Sequence, residues 1–178
     1  MKVKESKNQN KQNIVVPRWL VPLVWGILVL IIHFILPWLV SQIGTKHGWD
    51  QGYPSWWNLV GVVPLAIGLG LYIWCLVFHF RTYASSVRMG FAPPKLVTKG
   101  PYQFSRNPMY LSALFAWSGW PLFYGSLAVL IALIVLWLFF SFTVIPKEER
   151  QLKDIFGEEY LQYKHAVPRW MGRVQSNP

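Results

Sequence analysis

A chain of 178 residues has room for one domain, and a composition of 53% apolar and 13% charged residues with eleven tryptophans is that of a membrane protein, not a soluble one. The net charge of +10 sits in segments that flank apolar runs and forms no continuous basic face, which points to anionic lipid headgroups as partners and away from nucleic acid. The single cysteine, Cys75, lies inside an apolar run and excludes an intrachain disulfide and a cysteine-based metal centre.

Residues 1–18 open with a stretch of mostly Lys, Asn and Gln that cannot bury enough surface to order itself, so a disordered basic tail is predicted there. The first apolar run, Trp19 to Val40, holds 22 residues. At ~1.5 Å per residue it crosses a ~30 Å hydrocarbon core. The competing reading, a signal peptide, calls for a shorter run closing on small residues, whereas this one closes with Pro37 and Trp38. A polar and aromatic loop, residues 41–56, leads to Trp56 and Trp57 at the position of an interfacial belt, and a second run follows from Asn58 to Phe80.

Residues 81–107 carry five Lys or Arg and the turn signals Pro93, Pro94, Gly100 and Pro101, which predict a basic loop. From Met109 to Ile145 the chain runs 37 residues without a charge, too long for one helix. The Gly119, Trp120, Pro121 cluster offers a break, predicting a helical hairpin whose first arm, Pro108 to about Trp120, is only ~20 Å long. Beyond it, Glu148, Leu152, Phe156 and Tyr160 recur at i+4 on the face of an amphipathic helix, with Gly157 as its end and Glu158 and Glu159 starting another. The expected fold is all-α and integral to the membrane, with residues 19–178 as one domain. It has about four transmembrane helices, the last two a helical hairpin, and a cytoplasmic amphipathic C-terminal helix.

Orientation follows from charge. Five of the seventeen Lys and Arg precede the first run, five lie in the 81–107 loop and six follow Pro146, leaving Lys46 alone in the opposite loop. By the positive-inside rule the crowded side is cytoplasmic, with both termini there.

On that side, Asn107 followed by Pro108 has the form of a helix N-cap with Pro at the first helical position. A structural cap is the plain reading. The functional one uses the same physics, because free N–H groups and Arg106 would hold a carboxylate or phosphate, with the rings of Tyr102 and Tyr110 beside it for a cation. Glu148 and Glu149 follow directly on the last apolar turn, either as solvated surface charges or as ligands for a cation. Gly68 and Gly70, mid-run, read as a helix-packing notch or as a close approach of backbone to a ligand. His33 and His79 lie in or beside the runs, His47 and His165 are remote, and no pair has metal-ligand spacing, so no metal is expected. The apolar runs hold no acid or base beyond those imidazoles, which counts against an ion-coupled transporter.

Together, Leu96-Val-Thr-Lys-Gly-Pro-Tyr-Gln-Phe-Ser-Arg-Asn-Pro-Met-Tyr-Leu111, the Glu148-Glu149-Arg-Gln-Leu152 run and Phe156-Gly-Glu-Glu-Tyr-Leu-Gln-Tyr163 with Val167-Pro-Arg169 resemble one family. It is that of the membrane-embedded methyltransferases that include the isoprenylcysteine carboxyl and phosphatidylethanolamine N-methyltransferases. The resemblance covers roughly residues 60–170. It implies S-adenosyl-L-methionine as methyl donor, with Lys95, Leu96 and Val97 lining it, Tyr102 as an aromatic contact, and Asn107, Pro108, Met109 and Tyr110 as the helix start that holds it. Glu148 matches the cofactor-binding acid, Glu149 completes a Glu-Glu motif, and Gly68 and Gly70 match a Gly-x-Gly used by phospholipid methyltransferases.

The implied acceptor is a membrane lipid or lipidated substrate, first a phospholipid amine and second a prenylcysteine carboxylate. Two departures bear on it. Asn107 stands where many members have His, and Val144 stands where the prenylcysteine enzymes have an Arg that meets the substrate carboxylate. A non-enzymatic scaffold or transporter subunit would explain the hydrophobicity but not the polar motifs gathered on one side.

Overall fold

A computed structural model of the protein describes residues 20–82 and 95–172. The predicted basic tail, the middle of the basic loop (83–94) and residues 173–178 lie outside them. Among the described residues the fold is helical, as expected, apart from one short hairpin that sequence periodicity does not reveal.

The first apolar run forms α1 (Leu20–Leu30), a π turn (Ile31–Ile35) and α2 (Leu36–Val40). The π turn lodges His33, 3% exposed, against the ring of Tyr72 at 5.3 Å between centroids. Strands β1 (Trp49–Asp50) and β2 (Tyr53–Pro54) pair antiparallel within the 41–56 loop, and a 3-10 turn (Trp56–Gly61) leads into α3 (Val62–Thr82). Asn58, assigned by sequence to the second span, instead ties this end of the fold together. It is fully buried, its Oδ1 accepts from the Ser55 N–H at 3.2 Å, and its Nδ2 donates to the carbonyls of His47 and Leu122 at 3.2 and 3.1 Å.

The hairpin predicted for residues 109–145 is present, with its break displaced. Helix α4 (Pro108–Tyr124) passes through Pro121 and ends at Gly125, which adopts φ +55° and leaves no room for a Cβ beside the carbonyl of His47. Proline at 121 lacks only one N–H, and one lost helical bond does not stop a helix whose neighbours hold it. Gly119, taken in the sequence as part of the break, is a contact point: a Cβ there would run into the backbone carbonyl of Gly61 on the chain entering α3. At 17 residues the arm is therefore ~26 Å long, longer than the sequence suggested. Ser126 caps α5 (Leu127–Phe139), its Oγ accepting from the Val129 N–H, and a second π turn (Phe140–Val144) continues into α6 (Ile145–Phe156). Gly157, at φ +53°, separates α6 from α7 (Glu158–Ala166), where the sequence placed that turn.

Among the described residues, two helical stretches, Trp56–His79 and Leu127–Phe156, are long and apolar enough to cross a membrane. Only 22% and 17% of their apolar windows are buried, so their apolar side chains point outward, the reverse of a soluble core helix. The second stretch has 30 residues, ~45 Å against a ~30 Å hydrocarbon core, which leaves its charged last third, from Lys147 on, outside the apolar layer. The gathered polar groups thus fall at the end of the bundle where α3 finishes, α4 begins and α6 and α7 fold over.

Candidate active site

The site is built on the start of α4. Pro101 and the 3-10 turn Gly100–Gln103 bring the chain in beneath α3, with Gly100 at φ +64° against the ring of Phe78. The Ser105 hydroxyl accepts from the Asn107 N–H at 3.0 Å and donates to the Arg169 carbonyl at 3.1 Å, and Asn107 Nδ2 donates to the same carbonyl at 3.1 Å. The Arg106 N–H donates to the Pro168 carbonyl at 3.0 Å. Asn107 is the N-cap residue, as the sequence implied, but its side chain makes no capping bond. Its amide is committed to the C-terminal strap (residues 167–172). With Pro108 lacking a donor and Leu111 the first N–H bonded back, to the Asn107 carbonyl at 3.0 Å, the N–H groups of Met109 and Tyr110 remain at the positive end of the helix.

The two adjacent acids have different surroundings. Glu148, exposed, accepts the Tyr110 hydroxyl at 2.6 Å, and the Tyr110 ring packs against Phe140 at 4.8 Å, so this carboxylate stands beside the first turn of α4. Glu149, 7% exposed, is turned inward. Arg106 Nη1 lies 3.2 Å from its Oε1, Arg169 donates from Nε and Nη2 at 3.3 and 3.0 Å, and Lys164 donates at 3.3 Å. Burial pushes the Glu149 pKa up, but the Arg169 hydrogen bonds and the charges of Arg106, Arg169 and Lys164 outweigh it and hold the carboxyl below its ordinary value. The Tyr160 hydroxyl, buried beside Arg106 and Glu149, makes no hydrogen bond of good geometry; burial, and then the charge of Glu149, raise its pKa.

The segment carrying Lys95, Leu96 and Val97 closes this end. Leu96 is buried with Tyr160, Tyr163 and Val167, and Tyr102, Leu152 and Phe156 pack against that cluster; Lys95 is exposed and Val97 half-buried. The Tyr163 hydroxyl donates to the Tyr102 carbonyl at 2.8 Å, which fixes the loop to α7, and burial raises the Tyr163 pKa. Of the residues singled out by sequence, Leu96, Tyr102, Arg106, Asn107, Pro108, Met109, Tyr110, Glu148 and Glu149 therefore belong to one connected group. Gly68 and Gly70 do not join it. Gly68 presses on the backbone of Ala116, the packing-notch alternative, and Gly70 faces open space. Sequence reasoning left Arg169, Lys164 and Ser105 unassigned; the Val167-Pro-Arg169 motif was visible, but nothing in it says that its arginine reaches back to Glu149.

Two concavities adjoin the group. One, of about 550 Å³, opens between Thr98, Gln103 and Phe104 of the loop and Glu159, Gln162 and Tyr163 of α7, on the outer side of the Leu96 cluster. The other, of about 420 Å³, is an apolar groove between α4 and α5 that starts at Leu111, next to Tyr110, and takes in Leu114, Phe115, Ile134, Trp137 and Trp170.

Outward-facing apolar helices with hydrogen-bonding and charged groups gathered at one end define a membrane protein. The phospholipid methyltransferase family matches residues 56–159, and the chain belongs to that family of methyltransferases. It is 28% identical over 149 residues to protein-S-isoprenylcysteine O-methyltransferase B of Arabidopsis thaliana, covering 76% of this chain and 72% of that one. Over 75 residues it is 40% identical to the protein-S-isoprenylcysteine O-methyltransferase of Schizosaccharomyces pombe, covering 41% of this chain and 31% of the relative. A third relative, methanethiol S-methyltransferase 1 of Bradyrhizobium diazoefficiens, is 36% identical over 75 residues, 42% of this chain and 25% of its own length. No solved structure matches the chain.

Proposed function

We propose that the protein transfers a methyl group from S-adenosyl-L-methionine to a nucleophile on the head of a membrane-resident amphiphile. The observation that carries this reading is the pairing, at one helix end, of the Met109 and Tyr110 N–H groups with the Tyr110–Glu148 hydrogen bond of 2.6 Å. Those two N–H groups suit a carboxylate, Glu148 suits an ammonium or ribose hydroxyls, and the Tyr110 and Tyr102 rings suit a sulfonium. Half-buried Val97, with Lys95 at the rim, is assigned to a purine, and Leu96, buried against Tyr160, Tyr163 and Val167, holds that segment in place. Gly68 and Gly70 are left out of the proposed set, and Arg106 and Glu149 hold its frame.

When bound, the cofactor supplies an activated methyl group whose displacement needs in-line alignment more than acid, base or metal. The chain's part is to orient. The first turn of α4 fixes the carboxylate end of the ligand, Glu148 fixes a second point, and Pro108 and the buried Ser105–Asn107 turn keep that first turn rigid. The apolar groove beginning at Leu111 brings a hydrocarbon tail to the same depth, which places the amphiphile's head level with Tyr110 and Glu148. Four crossings, by residues 20–40, α3, α4 and the apolar part from α5 to Ile145, with both termini and the site on the cytoplasmic side, accord with the charge asymmetry.

The acceptor head is where the sequence argument shifts. Gly-x-Gly and Glu-Glu favoured a phospholipid amine, yet Gly68 is a packing contact and Glu149 an ion-pair centre, so neither argues for an amine. The relatives named for isoprenylcysteine favour a carboxylate, and Val144, half-buried at the end of the second π turn, offers it no charge. Purified protein in detergent, given methyl-labelled S-adenosyl-L-methionine and in turn phosphatidylethanolamine, a farnesylcysteine derivative and an alkyl thiol, decides among them. Label moves into the organic phase with at least one, as a base-labile ester only for the carboxylate. Absence of saturable cofactor binding by calorimetry would sink the whole reading.

A further inference from the structure

We propose that Arg169, whose partners are Ser105, Asn107 and Glu149, is a positioning residue that sets the distance between the first turn of α4 and Glu148. The inference rests on the site reading above. Four contacts carry it. The Arg169 carbonyl accepts both Ser105 Oγ and Asn107 Nδ2 at 3.1 Å, and the Arg169 guanidinium holds both oxygens of Glu149 at 3.0 and 3.3 Å. One residue thus grips the cap of α4 with its backbone and the neighbour of Glu148 with its side chain. Next to it, Pro168 accepts the Arg106 N–H, and Trp170 lines the apolar groove.

Physics requires such a tie. The start of α4 and the start of α6 are separated by the whole hairpin, and the apolar cluster around Leu96 packs against α6 and α7, while the contact nearest Glu148 is the Arg106–Glu149 ion pair. A fork of five N–H donors in fixed geometry locks two carboxylate oxygens at once, which a single ammonium does not. Lys164, 43% exposed, adds charge to Glu149 but no such geometry. Loosening by about an ångström between the N–H groups of Met109 and Tyr110 and the Glu148 carboxylate would leave each half of the ligand site intact and spoil their joint grip.

The test uses the full chain in detergent and S-adenosyl-L-methionine as the titrant, with Arg169→Ala, Arg169→Lys, Glu149→Gln and the double variant Arg169→Ala/Glu149→Gln. The expected result is a cofactor Kd raised at least tenfold in Arg169→Ala and partly recovered in Arg169→Lys. At saturating cofactor, the KM for whichever acceptor the parent uses changes less than threefold. Because Arg169 acts through Glu149, the double variant loses no more affinity than the worse single one. If Arg169→Ala loses thermal stability so far that it does not bind, Arg169→Lys carries the same comparison, with a Kd several-fold above the parent expected. Cofactor affinity within twofold of the parent in both variants, additive losses in the double variant, or losses spread equally over cofactor and acceptor would overturn the proposal and leave the site reading standing. A parent that binds no cofactor overturns both.

Discussion

Replacing Glu148 and Glu149 one at a time by Gln sets two adjacent acids against each other, and the structure assigns them different effects on stability. Glu148 is exposed and, among the described residues, accepts the Tyr110 hydroxyl at 2.6 Å. The Glu148→Gln amide keeps that hydrogen bond in neutral form and loses the charge offered to the ligand. A charge-assisted bond contributes about 1.5–3 kcal/mol, so cofactor affinity is expected to fall about tenfold to more than a hundredfold. Thermal stability should scarcely move, since water already reaches the group. Glu149 is buried under three cations, of which Arg106 is buried as well, with side-chain exposure 9%, while Lys164 and Arg169 keep 43% and 36%. Neutralising it strands Arg106. Removing one partner of a fully buried pair costs about 3–5 kcal/mol, and with two partners still wetted a loss of about 2–3 kcal/mol is expected. Calorimetric titration with S-adenosyl-L-methionine and thermal unfolding in the same detergent read the two quantities separately. The reasoning is refuted if Glu148→Gln binds like the parent, or if the two variants lose stability alike.

Four other expectations follow from particular contacts. Gly68→Val should destabilise by about 1–3 kcal/mol or misassemble, because its Cβ meets the Ala116 backbone, while Gly70→Ala, facing open space, should be silent in thermal unfolding. Glu149 has a depressed pKa, so its contribution to stability is present above the unfolded value of about 4.3 and disappears as pH falls through the lower folded value. Melting curves between pH 6 and pH 3 should accordingly show an acid-sensitive component that Glu149→Gln lacks. In a Cys75→Ser background, Thr45→Cys should react with an impermeant thiol reagent on intact cells and Gln103→Cys should not; labelling at 103 would invert the orientation. Acceptors shortened by several methylenes should lose activity steeply, by about 0.8 kcal/mol for each one no longer buried in the Leu111–Trp137 groove, and equal turnover at controlled phase concentrations would remove that groove from the pathway.

The helices were legible because apolar length and flanking charge survive any detail of packing. Residues 20–40 of the first run, the existence of two helical arms after Pro108 and the Gly157 turn appear as the pattern implied. What failed was local punctuation. Gly119 and Pro121 read as a break, but within a packed membrane helix a proline loses one bond and a glycine gains a close contact, here with Gly61. The real break, Gly125 and Ser126, carries the ordinary C-cap and N-cap chemistry and lay four residues further on. The Trp49–Pro54 hairpin was missed because two-residue strands have no periodicity to detect, and Asn58 because an amide at a span edge gives no sign that it will gather His47 and Leu122.

At the site the sequence supplied the members and not their partners. Asn107 and Glu149 were singled out beside a helix start and a cofactor acid, and both are committed to Arg169, 62 and 20 residues away in the chain. Such long-range ties leave no trace in spacing. They also explain why a charged cluster sits at the bilayer edge at all. The apolar cluster around Leu96 packs α6 and α7 at this end, and the polar contacts add direction to that packing, because polar geometry is strongest where water is thin but not absent. The end of the bundle just past Ile145 meets that condition: Glu149 and Arg106 are shielded enough to hold direction, while Glu148, one residue away, remains open to a charged ligand.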